Sequence, residues 1–429
     1  MRVCVVGLGK MGLPLAVQVA SKGHAVIGAD IDAEVVALVA KGGPPFPGEA
    51  GLDERLRAAV EAGRLAATTD TTAAVADAEV VVVVVPLVID ARAHPDFAAL
   101  DAATEAIGRG LRPGTLVSYE TTLPVGTTRA RLAPALAAAS GLELGRTLFV
   151  CHSPERVSSG RVFADLRRYP KLVGALEPVG AEHAIAFYAA ALDFDARPDL
   201  GRPNGVWDLG SAEAAELAKL VETTYRDVNI GLANTFARFA DRVGVDVHAV
   251  IAAANSQPFS HVHSPGIAVG GHCIPVYPRL YLAGDPDARI PAAARQVNEG
   301  MPTYAVARLA DHLGGLVGLR VAVLGAAYRG GVKETAFSGV FSVVEALAAY
   351  GAHPVVHDPL YDDAELRALD LRPYHLGEPT DAAIVHTDHA EYRVLAPTHL
   401  PGIRALLDGR AVTDPQRWYG VPRLVLGVG

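Results

Sequence analysis

The chain opens Met1-Arg2-Val3-Cys4-Val5-Val6-Gly7-Leu8-Gly9-Lys10-Met11-Gly12, and this stretch decides the fold. Val3–Val6 is a short apolar strand, and glycines stand at 7, 9 and 12 directly after it. In a strand–turn–helix unit the first glycine permits the tight turn and the second lets a pyrophosphate approach the backbone. The third lets helix and strand pack closely. The following helix then presents unpaired N–H groups to the phosphates. Such a turn also occurs in α/β domains that bind nothing, so its setting matters. Here the next strand, Ala25–Ala29, ends on Asp30, 23 residues after Gly7, where a carboxylate can hold a ribose 2′-hydroxyl. Asp30 would repel a 2′-phosphate, so the expected cofactor is NAD rather than NADP. Asp32 is a second acid and is expected to be solvated.

Outward from this turn, Val80–Val85, Leu116–Tyr119 and Leu148–Cys151 are further apolar runs separated by polar or helical stretches. The alternation predicts βαβ units and a mostly parallel sheet covered on both faces. Ala196–Asn204 holds two prolines and a glycine and reads as a boundary. From Ser211, a plausible N-cap with Glu213 and Glu216 behind it, Leu217, Leu220, Val221, Val228, Leu232, Phe236 and Phe239 recur at helical spacing. Gly244 is expected to end this helix, which is long enough to serve as a spine and a dimer interface. The α/β pattern returns with strands Arg320–Leu324, Pro354–His357 and Ala382–His386 and a helix over Ser338–Tyr350. The expected fold is therefore α/β, two Rossmann-like ends joined by a long central helix. The expected division is 1–200, 201–303 and 304–429.

Composition sets limits. The 429 residues are half hydrophobic and one fifth charged, with a net charge of −9, which argues against a nucleic-acid partner. No apolar run is long enough for a membrane span, and no metal site is expected. The first strand begins too early for a signal peptide, and a cytoplasmic location is expected. Cys4, Cys151 and Cys273 lack any Cys-x-x-Cys spacing, which excludes a disulfide framework. Cys4 and Cys151 read as small buried hydrophobes. Cys273 follows the glycine-rich Pro265-Gly266-Ile267-Ala268-Val269-Gly270-Gly271-His272, a loop that leaves a thiol unobstructed.

With this segment the sequence resembles the UDP-glucose/GDP-mannose dehydrogenase family, nearest to its UDP-N-acetylmannosamine dehydrogenase branch in Gly-Gly-His-Cys-Ile-Pro. The resemblance continues through Glu120-Thr121-Thr122-Leu123-Pro124-Val125-Gly126, Ser153-Pro154-Glu155-Arg156-Val157, Ala215–Glu222, Tyr225–Asn229 and Thr387–Tyr392. It implies a four-electron oxidation of a nucleotide sugar's C6 alcohol to a uronate with two NAD⁺. In that scheme Cys273 forms a thioester, and Lys219, placed opposite it by similarity, lowers the thiol pKa and stabilises oxyanions. Glu155 is the hydrolytic glutamate and Thr122 holds a water. Lys10, Met11, Pro86, Thr122 and Arg329 would border the cofactor. Glu155, Arg156, Val157, Lys219, Arg226, Gly270 and Gly271 would border a nucleoside-diphosphate sugar. A homodimer through the 211–243 helix is also implied, with Phe259 and His261 where some relatives carry an interface arginine.

Three positions depart from the family pattern. Thr223 replaces an asparagine one helical turn after Lys219. Tyr277 replaces an aspartate, and a phenol of pKa about 10 accepts a proton poorly at neutral pH. Lys219, a water or His272 would have to take that role. Ala336 replaces an arginine, so phosphate contacts would fall to Arg329 or Lys333. Two alternatives stay open: a two-electron 3-hydroxyacid-type dehydrogenase with no use for Cys273, and a non-catalytic binder of NAD or sugar nucleotide.

Overall fold

A computed structural model describes every residue of the chain except Ala91. The chain divides into two compact units, Met1–Glu222 with Arg279–Gly284, and Thr223–Pro278 with Asp285–Gly429. The first unit is built on strands β1 (Arg2–Val6), β2 (Ala25–Ala29), β3 (Leu65–Thr68), β4 (Val80–Val83), β5 (Thr115–Tyr119), β6 (Leu148–His152), β7 (Lys171–Ala175) and β8 (Val206–Asp208). Their order in the sheet is β8-β7-β6-β5-β4-β1-β2-β3, with the β6–β7 pair antiparallel. The strand order reverses between β1 and β4. The crevice beyond their carboxyl ends is where an open α/β sheet binds ligands. Every residue of β4 is buried, which is why it reads as an uninterrupted valine run rather than an alternating one.

The sheet continues past the proline-rich stretch that reads as a boundary. β8 follows Ala196–Asn204 and pairs with β7, and Asn204 Nδ2 donates to the carbonyls of Arg167 and Asp195. Proline and glycine punctuate any tight loop, so this one marks a turn inside the first unit. The apolar α1 (Gly12–Ser21) and the flanking helices cover the sheet over a core that includes Val5, Leu13, Val17, Phe163 and Phe187.

The long helix α2 spans Ala212–Val243, with Ser211 Oγ accepting the Ala214 N–H at 3.2 Å and Gly244 at φ 75° ending it. It passes from the first unit to the second between Glu222 and Thr223. Its buried face combines alanines at 212, 215, 233, 237 and 240 and Leu220 with the polar Glu216, Lys219, Thr223, Thr224, Asp227 and Asn234. The larger apolar residues Leu217, Val221, Tyr225, Leu232, Phe236 and Phe239 are exposed.

In the second unit α2 is followed by α3 (Arg289–Glu299) and by a parallel sheet of β9 (Arg320–Leu324), β10 (His353–His357), β11 (Ala382–Val385), β12 (Ala405–Asp408) and β13 (Arg423–Val425). Its order is β10-β9-β11-β12-β13. Helices Met301–Leu313 and α4 (Val340–Ala349) bury Met301, Val306, Leu309, Val343 and Leu347 against one face. Tyr374, Tyr392, Leu395 and Trp418 fill the other.

Candidate active site

The β1–α1 turn has the shape its glycines demand. Gly7 sits at φ +95°, and a Cβ there would lie 3.1 Å from the Val84 carbonyl. A Cβ on Gly12 would fall 1.9 Å from the Gly7 oxygen, so helix and turn pack as closely as backbone allows. Gly9 meets nothing within 4 Å, which leaves open space over the turn. No side chain caps α1; Leu13 donates its N–H to the Gly9 carbonyl at 3.1 Å and Pro14 has none, so the helix offers an anion the Gly12 amide at the mouth of the turn. Asp30 Oδ2 accepts the Leu8 N–H at 2.7 Å, fixing the carboxylate beside the turn. Asp32 is not simply solvated, because it caps the helix Ala33–Ala40 by accepting the Glu34 and Val35 N–H groups. These residues fit a dinucleotide: an open glycine cradle, a helix N-terminus for the pyrophosphate and a fixed acid for the ribose.

The corresponding turn of the second unit is closed from within. Asp358, after β10, accepts the Ala326 and Ala327 N–H groups at 2.7 and 3.0 Å and faces His389 Nε2 at 3.1 Å. Its amides are occupied by the chain's own carboxylate.

Thr122 and Glu155 follow β5 and β6, so both lie at the carboxyl edge of the first sheet. Thr122 is buried, and Glu155 Oε1 accepts the Val157 N–H at 2.8 Å. Beneath them is a buried polar cluster that sequence reading missed. Lys171 Nζ lies 2.7 Å from Glu120 Oε2, the Tyr188 hydroxyl donates to Glu120 Oε1 at 2.6 Å, and Lys171 stands 4.8 Å from the Tyr188 ring. The Glu155 N–H bonds the Glu120 carbonyl, tying the hydrolytic candidate to this cluster. Burial raises the Glu120 carboxyl, with Lys171 opposing it. Only the polarity of Glu120, directly after an apolar strand, signals the cluster in sequence; its partners are far along the chain.

His152 ends β6 fully buried, and neither ring nitrogen meets a partner among the described residues. Burial, and then the Lys171 and Lys219 charges, lower its pKa from 6.5 to about 3. Unfolded chains therefore bind a proton that the folded one refuses. The stabilisation is full above pH 6.5 and is lost as pH falls toward 3. Between pH 7 and pH 5 the wild type should lose about 2 kcal/mol more than His152→Leu, as urea unfolding at both pH values would measure.

Lys219 and Thr223 stand four residues apart on α2, and both are buried. Arg156 Nε is 2.9 Å from Glu222 Oε2 and its NH1 donates to the Pro170 carbonyl, so this substrate candidate is already held by the protein. Val157 packs on the first core. Met11 also borders that core, while Lys10 is half-buried. Pro86 and Arg226 are exposed.

The cysteine loop is docked on the second unit's sheet. Ile267 N–H bonds the Gly409 carbonyl at 3.0 Å and Gly271 N–H bonds the Ala336 carbonyl at 2.9 Å. Ala336, where the resemblance implies an arginine, thus contributes its backbone. A Cβ on Gly270 would lie 2.6 Å from Tyr328 Cβ, and Gly271, at φ +90°, abuts the same ring. Of the three cysteines, Cys273 alone is not buried, whereas burial pushes the Cys4 and Cys151 thiols up to about 12. Tyr277 begins the next helix, its N–H on the Cys273 carbonyl at 2.8 Å. His272 Nε2 lies 3.6 Å from Glu334 Oε2. Arg329 is exposed over the Tyr328 ring, and Lys333 pairs with Glu365. The chemistry these residues offer is a dinucleotide cradle with buried lysine and carboxylates in one unit, and an accessible thiol in the other.

Residues 1–192 match the NAD binding domain of the UDP-glucose/GDP-mannose dehydrogenase family, residues 213–300 its central domain and residues 322–417 its UDP binding domain. The chain is 34% identical to UDP-N-acetyl-D-mannosamine dehydrogenase of Pyrococcus horikoshii, covering 92% of this chain and 90% of that one. It is 30% identical to an NDP-N-acetyl-D-galactosaminuronic acid dehydrogenase of Ralstonia nicotianae, with 97% of each chain covered. The solved UDP-D-ManNAc dehydrogenase of Pyrococcus horikoshii matches with a TM-score of 0.88 at 31% identity, covering 100% of both chains. A UDP-glucose dehydrogenase of Pyrobaculum islandicum matches with a TM-score of 0.88 at 27% identity, covering 100% of this chain and 98% of that one. Among the described residues no helix is long and apolar enough to cross a membrane. Its three successive domain matches, together with the open dinucleotide cradle, make this chain an NAD-dependent enzyme that belongs to the UDP-glucose/GDP-mannose dehydrogenase family.

Proposed function

We propose that the protein oxidises the C6 alcohol of a UDP-N-acetylhexosamine, UDP-N-acetylmannosamine first among them, to the uronate through a thioester on Cys273. The observation that carries this reading is the half-exposed Cys273 on a glycine loop, set against two cysteines whose thiols burial makes inert. NAD⁺, which Gly7, Gly9, Gly12 and Asp30 would hold, would supply the hydride acceptor for both oxidations at C6. The first oxidation leaves an aldehyde. The Cys273 thiolate adds to its carbon, forming a C–S bond and an oxyanion that the Lys219 ammonium stabilises. Loss of the second hydride gives the thioester. Glu155 takes a proton from the water that attacks it, and C–S cleavage returns the thiolate. Thr122 and Thr223 serve as hydroxyl partners for that water. Tyr277 is not required as a base, because Glu155 fills that role.

The relatives named above favour an N-acetylhexosamine over glucose. Initial rates of NADH formation with UDP-N-acetylmannosamine, UDP-N-acetylgalactosamine, UDP-glucose, dTDP-glucose and GDP-mannose test the choice. A kcat/KM for UDP-N-acetylmannosamine at least about tenfold above that for UDP-glucose is expected, a difference one pocket contact can supply. Preference for UDP-glucose would overturn the substrate. NADH from none of them would overturn the enzyme reading.

The same reading assigns NAD binding to the first sheet through β8, catalysis to the segment that follows up to 303, and UDP binding to 304–429. It makes the protein a homodimer, supported by the exposed apolar stripe of α2 at spacings of three, four and seven. A catalytic thiol and two further unpaired cysteines suit the reducing cytoplasm.

A further inference from the structure

We infer that a buried relay, Arg295–Asp227–Asn298–Asn234, sets the position of the cysteine loop, which makes Asn234 a positioning residue for Cys273. Its catalytic meaning rests on the function proposed above. All four side chains are between 0% and 6% exposed, in the second unit, on α2 and α3. The Arg295 guanidinium forks onto Asp227, with Nε 2.6 Å from Oδ2 and NH2 on Oδ1. Asp227 Oδ1 also accepts Asn298 Nδ2 at 2.8 Å. That bond turns the Asn298 oxygen toward Asn234, whose Nδ2 donates to it at 2.9 Å. Asn234 is left with its oxygen facing outward from the relay, and Oδ1 accepts the Gly266 N–H at 2.9 Å.

Each amide orientation is thus forced by the one before it, starting from a fixed charge. A buried polar chain of this kind is no better for stability than apolar side chains of the same volume. What it supplies is direction: one acceptor, aimed at one backbone donor at the start of the cysteine loop. A Cβ on Gly266 would lie 2.9 Å from Arg410 NH1, so the glycine lets this arginine approach the start of the loop. The loop's other bonds, Ile267 N–H to Gly409 and Gly271 N–H to Ala336, hold it to the turns that follow β12 and precede α4. Asn234 ties Gly266 to α2, and Asn229, also on α2, accepts the His263 N–H at 2.9 Å three residues earlier. A misplacement of about 1 Å at a reacting atom can cost about a hundredfold in rate.

The test uses full-length Asn234→Leu with NAD⁺. Alkylation of Cys273 by iodoacetamide is timed by peptide mass spectrometry, beside kcat and KM for the preferred sugar nucleotide. The expected result is an alkylation rate changed at least about fivefold and a kcat reduced about 30- to 100-fold, with KM for NAD⁺ unchanged. Asn298→Ala, which keeps the Asn234 side chain but frees its orientation, should move both in the same direction by less. Tyr304→Phe removes a buried-end hydrogen bond to Asp241 elsewhere in the unit and should lower the melting temperature alone. If folded Asn234→Leu alkylates and turns over within twofold of wild type, the relay is only structural and the inference fails. Should Asn234→Leu not fold, Asn298→Ala decides by the same criterion. Alkylation reads Cys273 whether or not any sugar is oxidised, so failure of the proposed function is recognised separately.

Discussion

Cys273→Ser is expected to cut uronate formation by at least about a thousandfold while leaving the fold and NAD⁺ affinity intact. The substitution exchanges sulfur for oxygen at a half-exposed loop position, so its effect on stability should stay within about 0.5 kcal/mol. A serine hydroxyl without a base to deprotonate it adds poorly to an aldehyde, and no thioester can form. Any residual NADH would come from the first oxidation alone. The two-electron alternative makes the opposite forecast, since an enzyme that stops at the carbonyl has no use for a thiol and would turn over unchanged. Cys151→Ser provides the contrast. It places a hydroxyl in a fully buried strand and should reduce the melting temperature with little change in rate per folded molecule.

Lys219→Met should lower kcat by about 100- to 1000-fold, with KM for the sugar nucleotide nearly constant. An oxyanion exists only along the reaction path, so removing the charge that stabilises it spares ground-state binding. Methionine keeps the length of the buried stem, so the packing around it is retained. The same change reaches His152, where Lys219 is one of the charges that lower the imidazole pKa. Its titration, followed by NMR, should move upward in the variant. Steady-state kinetics at saturating NAD⁺ supplies the main readout; an unchanged kcat would remove Lys219 from the chemistry.

The parts of this fold that are legible in sequence are those set by neighbouring residues. The glycine fingerprint, β2 ending at Asp30, β9 and the Ser211 and Gly244 boundaries of α2 are all local consequences of turn sterics, capping and apolar runs. Less legible is what covers a pattern. The stripe from Leu217 to Phe239 announces a helix, but of its members Leu220 is buried while Leu217, Val221, Leu232, Phe236 and Phe239 are exposed, and the buried face is made largely of alanines and polar residues. Ala196–Asn204 carries turn chemistry, and turn chemistry alone does not separate a domain boundary from a loop leading to β8. Least legible are polar groups paired across long sequence distances. Asp227 with Arg295, and Glu120 with Lys171 and Tyr188, become sites only when the fold brings the partners together. The second turn repeats the internal acid of the first, with Asp358 on the Ala326 and Ala327 amides as Asp30 is on Leu8, a likeness its changed glycine pattern hides in sequence.

The central claim is a four-electron oxidation through Cys273, and counting NADH against sugar nucleotide consumed tests it most directly. With UDP-N-acetylmannosamine or whichever nucleotide sugar the panel selects, two NADH per sugar and a uronate product are predicted. One NADH per sugar, with aldehyde or ketone accumulating and no change in Cys273→Ser, would contradict the thioester and leave a simple alcohol dehydrogenase.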